Sequence, residues 1–258
     1  MNNNYKRSDR DANTLRPVEI TVDFHRFAEG SVLYKAGGTV VLITASVDDS
    51  VPDFMRGKGG GWATAEYQMH PRANPVRREG RDGRGRPLSG RTHEIQRLIG
   101  RSLRSAIALS VLGERTIVVD CDVLEADGGT RTASITGAWV AVAVALSRLS
   151  SRAGIHKPLL RDQIASVSVG HVDGSMLLDL CYAEDSRARV DLNLVGTARG
   201  GVVEVQGTSE GEAIAWADMD KMIALAFGGI QSLFEIQRKA LADAHIDIGP
   251  LLMPQVKS

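Results

Sequence analysis

The chain has 258 residues, 43% hydrophobic and 24% charged, long enough to bury a good core as one large domain or two small ones. Its 31 basic and 31 acidic residues cancel, which excludes a protein that coats nucleic acid by bulk charge and confines any such contact to a local patch. The polar opening Met1-Asn2-Asn3-Asn4-Tyr5 is no signal peptide, and no run approaches the roughly 20 apolar residues of a membrane span.

Residues 1–14 read as a mobile polar leader. Strands are expected over 18–24, 31–35 and 39–47, with Gly37-Gly38 as a hairpin turn, and again over 62–67. The composition then changes. Six arginines (Arg72, Arg77, Arg78, Arg81, Arg84 and Arg86) stand against only Glu79 and Asp82 between Met69 and Gly90. No aromatic residue interrupts this loop, so base stacking is not its chemistry. Contact with an RNA phosphate backbone is, the alternative being a solvated, disordered basic loop.

Ser89-Gly90-Arg91 opens a helix running to about Leu109, with Ile95, Leu98, Ile99, Leu103, Ala106 and Ile107 as its apolar stripe. Arg97, Arg101 and Arg104 share an opposite, solvated or salt-bridged stripe. Arg91 sits in the first turn, where the helix dipole disfavours a cation, and is best understood if an anion lies there too.

The run from Thr116 to Leu124 alternates β-branched and polar residues, as a strand with one wet face does. A helix follows over 132–149. Between them lie Asp127-Gly128-Gly129-Thr130-Arg131. Two glycines allow a tight turn and close approach to a ligand. Thr130 and Arg131 fall at the helix start, where free N–H groups and the dipole favour an oxyanion. The run is neither a P-loop nor a dinucleotide turn.

After a loop over 150–162, strands are expected over 164–171, 175–182, 190–195 and 202–206, then a helix of roughly 25 residues from about Ala217. This order predicts α+β layers. Cys121 and Cys181, both in apolar strand-like runs, suit buried free thiols rather than a disulfide. A soluble cytoplasmic protein is expected. The six histidines are scattered and lack metal-ligand spacing.

Asp179 lies inside an apolar strand, where a lone carboxylate is costly unless paired or bound to a cation. Asp185 follows six residues later. One metal ion reaches both only if the chain turns near Tyr182–Asp185; a Mg²⁺ role would need one or two carboxylates plus substrate phosphate oxygens.

Three stretches then carry a resemblance: Ser89 to Arg104, Asp120 to Ala138, and Asp179 to Ser186 with Asp191-Leu192-Asn193. They resemble the ribonuclease PH family, bacterial phosphorolytic exoribonucleases that trim tRNA 3′ ends. Leu15-Arg16-Pro17 and the runs 28–32, 44–47 and 204–208 match it as well, so the likeness extends from Leu15 to about Ala240. It implies a ribosomal-protein-S5-domain-2-like α+β fold, a single catalytic domain over 15–245 with a break near 150–162, and a tail over 246–258. It implies a homohexameric ring built as a trimer of dimers. Arg91, Gly129, Thr130 and Arg131 are then expected to bind inorganic phosphate. Asp179 and Asp185 are expected to be catalytic and associated with Mg²⁺, and the arginine loop to guide tRNA precursors and other RNA 3′ ends. The implied reaction releases nucleoside diphosphates and runs backwards to add nucleotides. A non-catalytic RNA-binding ring subunit and a hydrolytic nuclease stay open as other readings.

Overall fold

The computed structural model describes residues 7–254, apart from positions 75, 77, 79, 81–84 and 86. In chain order the strands β1 (Val18–Val22), β2 (Gly30–Ala36), β3 (Thr39–Asp48) and β4 (Trp62–Met69) lead into helices α1 (Gly90–Ala106) and α2 (Leu109–Leu112). Then come β5 (Thr116–Glu125), α3 (Thr130–Ala153), β6 (Ile164–Val172), β7 (Ser175–Leu178), α4 (Tyr182–Asp185), β8 (Val190–Thr197), β9 (Val202–Ser209) and α5 (Trp216–Asp243).

Alternation decides the first sheet. In β3 the side chains of Val41, Ile43 and Ala45 are buried while their neighbours face outward, the period-two pattern of a strand with one covered face. The sheet runs β1-β2-β3-β5-β4, antiparallel except for the parallel β4–β5 pair. The second sheet, β7-β6-β8-β9, is antiparallel throughout.

Helix α3 stands between the two sheets, packing on β2 and β3 on one side and on β6 on the other, with α1 and α5 alongside. From Thr132 to Leu146 every residue is buried, because this helix has no solvent face to keep polar. Gly137 marks its closest approach: a Cβ there would come within 2.3 Å of Ile43 Cδ1. By length and composition alone α3 could cross a membrane, against expectation, yet 89% of its most apolar window is buried inside this fold. Helix α5 closes the second sheet, burying Met222, Ala226, Ile230, Leu233 and Phe234 against β6 and β8.

Several expected boundaries shift for physical reasons. Helix α1 stops at Ala106 because Ile107 turns extended and bridges Leu160, while the Ala108 N–H bonds the Leu159 carbonyl. Helix α3 takes in part of the expected 150–162 loop and ends at Gly154 in the left-handed conformation. The leader is not loose from Arg7 onward: Arg7 is only 8% exposed, and the Leu178 N–H donates to the Ala12 carbonyl. The tail folds back as well, exchanging backbone hydrogen bonds between Leu160 and both Leu251 and Met253.

The largest change is at Asp179. The strand expected over 175–182 ends at Leu178, Asp179 adopts φ 55°, and the chain re-forms as the one-turn helix α4. Aspartate is among the few non-glycine residues that visit this left-handed region. Cys181, expected in a strand, therefore precedes a helix turn and is half-buried; Cys121 is buried, and both are free thiols.

Candidate active site

The end of β5, the start of α3 and the β7–α4 turn meet around a cavity of about 360 Å³. Its first wall is cationic. Gly128 and Gly129 have φ of 77° and 64°, and a Cβ on Gly128 would come within 2.5 Å of the Leu180 carbonyl. Only glycine lets this turn pass so close to the β7–α4 turn. Gly129 is the N-cap of α3 and supplies no side chain, and the first intrahelical bond is from Ala133 N–H to the Gly129 carbonyl at 2.9 Å. The N–H groups of Thr130, Arg131 and Thr132 precede it and have no acceptor within the helix, so they suit an anion. The Thr130 hydroxyl is spoken for by the Tyr67 hydroxyl, 2.9 Å away and buried. Arg131 and Arg91, the latter from the first turn of α1, complete this wall. The Arg91 turn is capped by Ser89, whose hydroxyl accepts the Thr92 N–H at 3.1 Å.

The opposite wall is anionic. Asp185 closes α4, and Asp191 lies on the polar edge of β8, with Ser168, Tyr182 and Asn193 beside them. Burial pushes the Asp185 carboxyl above its ordinary value, the Asp191 carboxylate adds to this, and Arg91 and Arg131 oppose it. Those four side chains therefore act on one another in one field.

Asp179 is elsewhere. Its carboxylate accepts the Arg16 backbone N–H at 2.8 Å, Nε at 3.0 Å and Nη2 at 2.7 Å, and it does not line the cavity. The chain does turn before Asp185, as a shared metal would require, but the turn aims Asp179 at Arg16. Arg16 in addition donates through Nη1 to the Asp127 carbonyl at 2.6 Å, so the pair buttresses the glycine turn from behind. Glu184, next to Asp185, is buried and tied to the leader, receiving Arg7 Nε at 2.6 Å and Nη2 at 2.8 Å. Burial pushes Glu184 up, but the Arg7 hydrogen bond, the Cys181 N–H and the charges of Arg7 and Arg10 together outweigh this and leave it below the usual carboxylate range.

A hard divalent cation fits Asp185 and Asp191, two carboxylates facing two arginines across a space open to substrate oxygens. It does not fit Asp179, whose two oxygens already receive three hydrogen bonds from Arg16. Among the described residues no group of three or more His, Cys, Asp or Glu side chains converges on one point. Asp191 was visible only as part of a matched motif. Its signal as a site residue was the alternation of Val190, Asp191, Leu192 and Asn193, which sends both polar side chains to one face of β8.

Of the arginine loop, Arg72 and Arg78 are described and exposed; Arg77, Arg81, Arg84 and Arg86 lie outside the described residues. Arg72 lines a second cavity of about 440 Å³ that shares Asn74, Ala126 and Tyr182 with the first.

Two sheets packed around one core helix, with a cationic helix start and two carboxylates lining one cavity, define an α+β protein whose cavity suits an oxyanion. Residues 14–146 match the model for domain 1 of the 3′ exoribonuclease family, and residues 162–229 the model for domain 2. The chain belongs to this family, the RNase PH family. Its fold is similar to that of rice (Oryza sativa) Rrp46, at 19% identity and a TM-score of 0.72 over 90% of this chain and 98% of that one. It is also similar to the Archaeoglobus fulgidus exosome with RNA bound to the active site, at 24% identity and a TM-score of 0.71 over 88% and 90%.

Proposed function

We propose that this protein is a phosphate-dependent 3′→5′ exoribonuclease that shortens RNA 3′ ends, those of tRNA precursors among them, and releases nucleoside diphosphates. The observation that carries it is the single cavity holding Arg91, Arg131 and the uncapped α3 start on one wall and Asp185 with Asp191 on the other. In this reading the first wall holds inorganic phosphate, whose charge the two arginines and the free N–H groups offset. The scissile phosphodiester lies between the walls, and phosphate attacks it in line, expelling the 3′ oxygen of the penultimate nucleotide. Because two anions must meet, most of the catalysis is positioning and charge stabilisation. A Mg²⁺ ion held by Asp185 and Asp191 would supply Lewis-acid stabilisation of the charge that develops on the phosphodiester oxygens. Arg91 and Arg131 oppose the rise in the Asp185 pKa, so the cationic wall favours the ionised carboxylate.

The arginine loop would contact the RNA backbone, and six copies would form a ring in the cytoplasm. Light scattering at working concentration tests that copy number directly.

A tRNA with extra 3′ nucleotides should stay intact until inorganic phosphate is added, then lose nucleotides one at a time as diphosphates. Excess nucleoside diphosphate without phosphate should lengthen the 3′ end, because a phosphodiester is exchanged for a pyrophosphate of similar energy. Chromatography of the products decides. Monophosphates would mean a hydrolase, and no product under any condition would mean a non-catalytic ring subunit.

A further inference from the structure

Arg131 is not aimed into the cavity by its own helix alone. A guanidinium on a long stem must lose rotamer entropy before it can serve as a fixed anion ligand. Its Nη1 donates at 2.8 Å to Oε1 of Gln206, on β9, and lies 3.4 Å from Oε1 of Glu94, on α1. The Gln206 amide in turn donates through Nε2 to Glu94 at 3.0 Å and to Glu204 at 3.2 Å. Glu204 is itself pinned by Arg101, whose Nε and Nη2 donate to it at 2.5 and 2.7 Å.

The orientation of this amide follows from its neighbours. A guanidinium only donates and carboxylates only accept, so the oxygen of Gln206 must face Arg131 and its nitrogen must face the two glutamates. A carboxamide does both jobs at once. A glutamate at 206 would put three carboxylates together. An apolar residue would leave Glu94 and Glu204 facing each other with no shared donor. β9 also belongs to the sheet that carries Asp191, whereas Arg131 and Glu94 sit on helices of the first half. The amide thus ties the cationic wall to the sheet behind the anionic wall.

We propose that Gln206 is a positioning residue that holds the Arg131 guanidinium in its phosphate-binding orientation, with Glu94 and Glu204 anchoring the amide. This rests on the reading of the cavity as a phosphate site. Gln206→Met, close in shape but unable to donate or accept strongly, should raise the phosphate concentration for half-maximal rate about tenfold, the effect of losing one charge-assisted hydrogen bond. The rate at saturating phosphate should change less than about twofold. Calorimetric titration with inorganic phosphate alone, without RNA, should show the same weakening. In an Arg131→Ala background the same substitution should have no further effect, because Gln206 acts only through that arginine. Gln206→Ala reads the same cycle should the Met variant associate or misfold. Equal losses in both backgrounds would overturn the proposal, as would normal phosphate binding in both Gln206 variants with a lowered saturated rate. If the unmodified protein binds no phosphate, the reading of the cavity fails and this inference with it. Phosphate binding indifferent to residue 206 overturns this inference alone.

Discussion

Asp179, Asp185 and Asp191 differ by partner, not by type. Asp185 faces Asp191 and carries a raised pKa; Asp179 faces Arg16 and is enclosed. Asp185→Asn and Asp191→Asn should each abolish turnover while leaving the fold intact. The sign for stability is specific. A carboxyl with a folded-state pKa above its unfolded value stabilises the fold at low pH, and that contribution is lost as pH rises through the folded value. At neutral pH the ionised Asp185 therefore costs stability, and Asp185→Asn should unfold at a temperature no lower than the unmodified protein. For the same reason turnover should fall off on the acid side at a pH above the ordinary aspartate value of about 3.9. Asp179→Ala should behave oppositely. It strands a buried arginine and should cost about 3–5 kcal/mol in urea unfolding. A stable, well-folded Asp179→Ala that has lost only turnover would return that residue to the reaction centre.

At the scale of elements, the reading of the chain succeeded where the signal is local. The alternation in β3 and β5, the stripe of α1 and the glycine turn before α3 each lie within about a dozen residues, and each appears at its expected place. The cationic wall was legible for the same reason, since Arg91 and Gly129-Thr130-Arg131 sit at helix starts marked by their own neighbours. Of the carboxylate wall, Asp185 was singled out beforehand, but Asp191 and the displacement of Asp179 were not. Nothing within 178–186 says that Asp179 will be claimed by Arg16, which lies 163 positions earlier. The break in β7 follows from that distant pair, so local β character in 179–182 predicted a strand that tertiary contacts override. Gln206 is the same case: its role depends on Glu94 and Arg131 from two other elements, and its own strand reads only as an edge with a polar face.

At the scale of the whole molecule, the neutral balance of charge matters for RNA. With no net field, affinity should come from the arginine loop and the cavity arginines, and its salt dependence should count those contacts. Replacing Arg77, Arg78 and Arg81 together with Ala should reduce the log–log salt slope of tRNA binding by at most about three units. A filter-binding series across ionic strength reads this, and an unaltered slope would leave the loop without a part in RNA binding.

The strap formed by Arg7 and Arg10 ties the first residues of the chain to Glu184, 177 positions later in the case of Arg7. On the ribosome the start of the chain emerges first and must wait for its anchor. Until Glu184 has been made, Arg7 and Arg10 have no anchor to bind. Such long-range closure is entropically slow, so it should come late in folding. A chain released at position 175 should accordingly have a leader that trypsin cuts after Arg7 and Arg10 at once, whereas in the finished protein both sites should resist. Equal cleavage in the two would show that the strap adds no protection.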